Sequence, residues 1–511
     1  MIEHELADSP IFQGRSVTPV MDSWMKRLAK HYERTRADHP DDRLMILFDI
    51  DGTILDMRWT ILYVLQGYDR SRGTSYFADL RPDDIHVHEN HVDVLLREMR
   101  IPRGLRGEIL AWYLNHRWSL EAILHSHRPF RGVMEVIRWF QMQPNTYVGL
   151  NTGRPESLRI DTLHSLNELG QEYRVCFAPS QVHMNPRDWG QGIPEAKVAG
   201  LWHFQDAGYR VFAVVDNEPE NLRAMAAADT ANEIQMLHAS TIFTSQRSEN
   251  PPGTVEGEDY DITELIPERS LFGHVQFVWH GVNDDRNLRQ FLASEVHWAE
   301  LDVREDPATH QLVLRHDSFT DRPRADGETL PFMGAFLDLL HHHGKGIKLD
   351  LKQGAPVVPR VLRLVAQFGI PDSQLWFNGT VESFGEHGFR AIARQHPRAI
   401  LQCPVDFLAP LIVGAPAKAR ETLEMFRDWG VNRLSVSWSV PFKNEILDQM
   451  ERWGFEVNIY NVPDLESFLQ AALLSPRSVT SDFNFPKWEY YGTGLAQKQL
   501  EDAYPVSVSA T

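Results

Sequence analysis

Leu44-Met45-Ile46-Leu47-Phe48-Asp49-Ile50-Asp51-Gly52-Thr53 is the stretch that decides how the first half of the chain is read. Five apolar residues in a row predict a strand buried on both faces. The run stops at two acids, a glycine and a threonine, the composition of a tight turn. An aspartate there can serve as a covalent nucleophile toward phosphorus. A second acid two residues on can protonate a leaving oxygen and then activate water. Gly52 lets the chain turn closely beneath a phosphate. Asp-Gly is also common in ordinary turns, so the neighbouring strands must supply the rest.

Working outward, Tyr147–Leu150, Arg174–Phe177, Val211–Val215 and Glu233–Leu237 read as further strands between helical stretches. Asn151-Thr152-Gly153-Arg154-Pro155 follows the second strand and places a hydroxyl for phosphate binding. Lys197 opens an apolar-periodic helix after Ile193-Pro194, and no other lysine occurs between residues 31 and 344. Arginines are plentiful there, so a lone lysine suggests a specific point charge. Val214-Val215-Asp216-Asn217-Glu218-Pro219-Glu220-Asn221 ends a strand in acids suited to a hard cation.

Four strand-end signals in this order resemble the haloacid-dehalogenase-like (HAD) phosphatase superfamily, over residues 44–243. The resemblance implies Asp49 as nucleophile and Asp51 as general acid and base. It implies Thr152, Gly153 and Lys197 as phosphate binders. Asp216 would bind Mg²⁺ together with Asp49 and the Ile50 carbonyl, supported by either Glu220 or Asn221. The helical stretch at about 57–128 sits where this family carries a cap. Residues 1–43 read as a polar leader with helical spacing at Trp24, Leu28 and Tyr32.

Residues 244–268 are polar, acidic and rich in proline and glycine, and read as an interdomain linker. Beyond them eight strand-like runs alternate with helices between residues 269 and 495, as a (β/α)8 barrel requires. Residues 496–511 read as a tail. The expected class is therefore α/β, a Rossmann-like domain with a helical cap followed by a TIM barrel.

In the barrel, His280-Gly281 ends the first strand. Glu300 and Asp302 share one face of the second strand, and Lys348, Asp350 and Lys352 share one face of the third. His316 follows a short apolar run between them. A charged inward face is costly unless it binds something. Glu300, Asp302 and Asp350 could hold one Mg²⁺ or Ca²⁺. Lys352 would neutralise a phosphate oxygen, with His280 and His316 as acid and base. The set resembles the glycerophosphodiesterase, or phospholipase-C-like, barrel superfamily, including its sphingomyelinase-D and menorin branches. Asn378 and Trp438, at predicted strand ends, are substrate-contact candidates. His341-His342-His343 reads as a solvated helix end.

Composition narrows the partners. The chain of 511 residues has a net charge of −19, which disfavours long nucleic acid and anionic membranes. Two cysteines, Cys176 and Cys403, make no disulfide framework or zinc pattern. No secretory leader is visible, and a cytoplasmic location is expected. The combined expectation is a bifunctional hydrolase of small phosphate esters, a phosphomonoesterase coupled to a phosphodiesterase. The alternative is a phosphatase carrying a catalytically silent ligand-binding barrel.

Overall fold

The computed structural model describes residues 22–187, 192–240, 249–267, 271, 273–325 and 327–481. Residues 1–21 of the leader, 482–495 of the barrel span and the 496–511 tail lie outside the described residues. The chain divides into two compact units, the first ending at Leu265 and the second comprising the residues from Ile266 together with Gln171–Arg174. Among the described residues no helix is long and apolar enough to cross a membrane.

The first unit is built on six parallel strands, β1 (Leu44–Phe48), β2 (Thr146–Pro155), β3 (Val182–Asn185), β4 (Arg210–Asp216), β5 (Gln235–Ala239) and β6 (Val255–Gly257). Their order is β3-β2-β1-β4-β5-β6. The chain crosses over at β1, which pairs with β2 on one side and β4 on the other. All five β1 side chains are buried. Met45 and Leu47 pack with Leu201, Phe204 and Met225. The helix Trp24–Asp38 is capped by Ser23, whose side chain accepts the Lys26 N–H. Its Tyr32 packs against Phe140 and Phe212, so the leader's helical spacing marks an integral element. The insert 57–128 forms four α-helices around an apolar cluster of its own, including Ile61, Leu65, Phe77, Leu96 and Ile109.

Two sequence readings change. Arg174–Phe177 is not a strand; Val182–Asn185 takes the edge position beside β2. The backbone of the earlier stretch finds other partners. Arg174 has φ of 55°, the Val175 N–H donates to the Gly170 carbonyl, and the Asn167 side chain bonds both polar groups of Phe177. Of the 244–268 segment, the described residues 249–265 are part of the first unit. They supply β6 and the helical turn Ile262–Leu265. The Tyr260 hydroxyl donates to the Thr53 carbonyl at 2.9 Å, and Trp24 Nε1 donates to the Asp259 carbonyl at 2.6 Å.

The second unit is a closed barrel of eight parallel strands. These are β7 (Gln276–Trp279), β8 (Trp298–Glu305), β10 (Gly346–Leu351), β11 (Leu375–Asn378), β12 (Ile400–Pro404), β13 (Arg433–Ser437), β14 (Glu456–Val462) and β15 (Ser478–Ser481). β15 pairs with β7 to close the ring. A short β9 (Leu312–Leu314) lies antiparallel on β8. Val278, Trp298 and Trp376 form an apolar floor with Ile400. Lys348, Gln402 and Asn458, all buried, follow above it, then Glu300, Asn378, Ser435 and Thr480. The pairing register sets this layering. Such layers are usually aliphatic, so this barrel keeps its polarity at a desolvation cost. At the histidine run, His342 and His343 bond carbonyls of their own helix's last turn and His341 bonds Gln374.

Candidate active sites

In the first unit, the strand ends bring Asp49, Asp216 and Lys197 together. Lys197 Nζ lies 2.6 Å from Asp49 Oδ1 and 2.8 Å from Asp216 Oδ2. It also donates to the Asn151 carbonyl at 2.6 Å. Lys197 is 1% exposed, so the lone lysine is a buried point charge. Burial pulls its pKa down, but Asp216 and Asp49 outweigh burial and it lies above the ordinary lysine value. One ammonium does not compensate two carboxylates. Burial, with Asp216 and Asp51 adding to it against Lys197, pushes Asp49 up to about 7. The donor set therefore fits one further cation.

Asp216 is held by its own loop. Its Oδ1 accepts the Glu218 N–H at 2.9 Å, and Asn221 Nδ2 reaches both oxygens at 3.1 and 3.3 Å. Of the two candidates left by the sequence, Asn221 supports this acid, while Glu220 is exposed. The Ile50 carbonyl, expected to face the cation, accepts the Ile54 and Leu55 N–H groups at 2.9 and 2.8 Å. The tight turn already engages this carbonyl. Gly52 has φ of 77°, and a Cβ there would lie 2.3 Å from Asn217 Nδ2, so the turn requires glycine.

Arg154 was missed in the sequence. It is fully buried and grips Asp51 with Nε to Oδ2 at 2.8 Å and Nη2 to Oδ1 at 2.6 Å. Its signal was its place directly after Thr152-Gly153. Thr152, buried, accepts the Arg154 N–H, and Gly153 packs against Ile193. The insert closes in from the other side. Trp118 stacks near Arg154 at 4.9 Å, and His88 bridges Glu89 and Glu218, each at 3.2 Å.

In the barrel, ligand atoms of His280, Glu300 and Asp302 all lie within 4.8 Å of one another. Glu300 Oε2 accepts from Lys348 Nζ at 3.0 Å, and Lys348 also donates to Thr480 Oγ1 at 3.0 Å. Asp302 Oδ2 accepts from Asn283 Nδ2 at 2.5 Å, and Asn283 Oδ1 accepts the Asp302 N–H at 2.9 Å. Asp302 Oδ1 has no well-aligned hydrogen bond but pairs with the Lys352 ammonium at 3.1 Å. Two buried carboxylates with the half-buried His280 beside them fit a hard cation.

Asp350, the third expected ligand, has both oxygens engaged. Its Oδ2 pairs with Lys352 at 2.5 Å and its Oδ1 accepts from Asn378 Nδ2 at 3.0 Å. Burial raises the Asp350 pKa, with Lys352 opposing and Glu300 and Asp302 adding. Lys352 is raised in turn, because its two aspartates outweigh its burial. Asn378 thus belongs to the polar layers, also accepting from Gln402. His316 follows β9 with its side chain 63% exposed, paired with Asp317 Oδ1 at 2.9 Å. Trp438 lies just past β13 with Lys443 Nζ 3.4 Å from its ring centroid. Lys348 was read only as sharing the inward face with Asp350 and Lys352, without a role, and Asn283 was not singled out.

No protein-family model and no curated protein matches the chain. Solved structures similar to it include a glycerophosphodiester phosphodiesterase from Parabacteroides distasonis, 14% identical, covering 45% of this chain and 98% of that one, with a TM-score of 0.33. An Oleispira antarctica phosphodiesterase in complex with the product sn-glycerol-3-phosphate is 14% identical, covering 44% and 99%, with a TM-score of 0.34. A Lactobacillus plantarum protein named as a phosphoglycolate phosphatase is 12% identical, covering 43% and 98%, with a TM-score of 0.26. Likenesses at these scores carry no weight for function, which rests on the two clusters of side chains.

Proposed function

We propose that the chain is a hydrolase of phosphoric esters with two separate sites, a HAD-type phosphomonoesterase with the 57–128 insert as its cap and a phosphodiesterase in the barrel. The observation that carries the reading is the buried meeting of Asp49, Lys197 and Asp216 at the C-terminal ends of β1 and β4, with Asp51 beside them. Asp49 attacks phosphorus and forms an aspartyl phosphate while the ester oxygen leaves. Asp51 gives that oxygen a proton and then takes one from the water that opens the intermediate. Lys197 and Thr152 hold the phosphoryl oxygens. Mg²⁺ bound by Asp49 and Asp216 would supply charge neutralisation.

In the barrel, Glu300 and Asp302, with His280 beside them, would hold Mg²⁺ or Ca²⁺, which would neutralise a phosphate oxygen. Lys352 stands next to that oxygen. His280 and His316 act as acid and base, and the attacking hydroxyl is either water or a neighbouring group that closes a cyclic phosphate. With water as the attacking group the chemistries are sequential, since the diesterase product bears the monoester that a phosphatase removes; a cyclic phosphate would first need its ring opened by water. Small soluble phosphate esters fit the acidic chain, and a cytoplasmic setting fits its cysteine usage. The exposure of His316 favours one second reading, a barrel that binds a ligand without turning it over.

The covalent step has a direct test. With an aryl phosphate, whose leaving group needs no proton, Asp51→Asn should accumulate a hydroxylamine-sensitive phosphoenzyme. Asp49→Asn should form none. Phosphoenzyme in Asp49→Asn, or its absence in Asp51→Asn together with full turnover in Asp49→Asn, rules out the assignment.

A further inference from the structure

The two barrel carboxylates differ from free ligands in one respect. Each has one oxygen committed to a neighbour that cannot easily withdraw, while the second Asp302 oxygen, Oδ1, faces the Lys352 ammonium at 3.1 Å. Glu300 Oε2 is taken by Lys348 at 3.0 Å. Lys348 is 1% exposed, anchored by Thr480 Oγ1 at 3.0 Å and seated 4.9 Å from the Trp376 ring centroid. Thr480 and Ser478 in turn donate to Asn458 Oδ1, so the lysine stands on a buried polar scaffold. Asp302 Oδ2 is taken by Asn283 Nδ2, and Asn283 Oδ1 accepts the Asp302 N–H. That two-point fork fixes the rotation of the carboxylate. The fork sits in the loop after β7, where Gly281 has φ of 68° and the Val282 N–H donates to the Glu300 carbonyl.

We propose that Lys348 and Asn283 are positioning residues that restrict Glu300 and Asp302 to one cation-facing oxygen each, and so tune this site to Mg²⁺ over Ca²⁺. The inference rests on the barrel-site reading above. Mg²⁺ needs an octahedral shell at about 2.0–2.1 Å and keeps several waters, which one-oxygen carboxylates allow. Ca²⁺ takes six to eight oxygens and gains from two-oxygen carboxylates. For Glu300 to turn a second oxygen to a cation, it must leave Lys348 and bring the cation against an ammonium that has nowhere to go. Asp302 would have to break its fork.

The test is calorimetric titration of the full chain with MgCl₂ and with CaCl₂, in an Asp216→Ala background that removes the first unit's cation site. Heat abolished by Glu300→Gln marks the barrel site. Without further change the site should bind Mg²⁺ more tightly than Ca²⁺. Lys348→Met, and independently Asn283→Ala, should shift the Mg²⁺-to-Ca²⁺ affinity ratio toward Ca²⁺ by about tenfold or more, the size of an outer-shell effect on metal affinity. Asn283 is on a loop and half-buried, so its variant serves if Lys348→Met does not fold. Equal affinities without those substitutions, or an unchanged ratio in a folded variant, overturn the inference and leave the site. No heat sensitive to Glu300→Gln overturns the barrel reading itself.

Discussion

Asp49 and Lys197 are buried side by side, and each makes a separate expectation. The Asp49 pKa of about 7 lies far above its ordinary 3.8 because of burial and its acidic neighbours. In metal-free protein the folded state therefore holds a proton that the unfolded chain releases. Stability should fall as pH rises from about 4 through 7. Asp49→Asn should flatten that fall, so chelated wild type and variant should diverge in melting temperature toward pH 8, with the variant higher. Added Mg²⁺ should reduce the difference. Lys197→Met leaves two buried carboxylates uncompensated, a loss on the order of 3–5 kcal/mol. Vanadate affinity should drop as well, by about 1.5–3 kcal/mol for one charged hydrogen bond. Calorimetric melts and vanadate titrations of the folded fraction read the two separately. An unchanged melting temperature would mean Lys197 is not the buried counter-charge described. At this scale the sequence was informative wherever a residue type was scarce or its spacing fixed, as for Lys197, Asp49 and Glu300. Arg154 and Lys348 were not legible, because one is an arginine among many and the other simply continues an alternating strand. Their roles come from strands that are distant in sequence.

Among elements, the segment after residue 248 departs most from its sequence reading. Pro251-Pro252-Gly253 and the acids around Glu256 look like linker composition. Yet β6 is an edge strand, and edge strands carry proline, glycine and charge without loss of pairing. Its Gly257 lies so close to Trp24 that a Cβ would sit 2.2 Å from the indole. Gly257→Val should therefore lower the first unit's stability by about 1–3 kcal/mol, readable by urea unfolding. A true linker would tolerate it with no change. The Arg174–Phe177 misreading has the same origin. Buried Val175 and Phe177 mimic strand alternation, but Asn167 takes the backbone groups that a ladder would need. By contrast β1, β4 and the eight barrel strands were legible, because unbroken or alternating apolar runs ending in turn residues leave few alternatives.

For the molecule as a whole, the central claim is two chemistries on two independent sites. The acids at the C-terminal ends of the strands were readable from sequence in both units. What could not be read was which oxygens are left free once the fold supplies neighbours, as the Ile50 carbonyl and Asp350 show. The most direct measurement is steady-state turnover of a phosphomonoester and a phosphodiester, with divalent cation, by wild type, Asp49→Asn, His280→Ala and Glu300→Gln. Asp49→Asn should lose monoester turnover and keep diester turnover, while His280→Ala and Glu300→Gln should do the reverse. Loss of both activities in Asp49→Asn, with neither affected in Glu300→Gln, would contradict the claim and leave the barrel as a binding module.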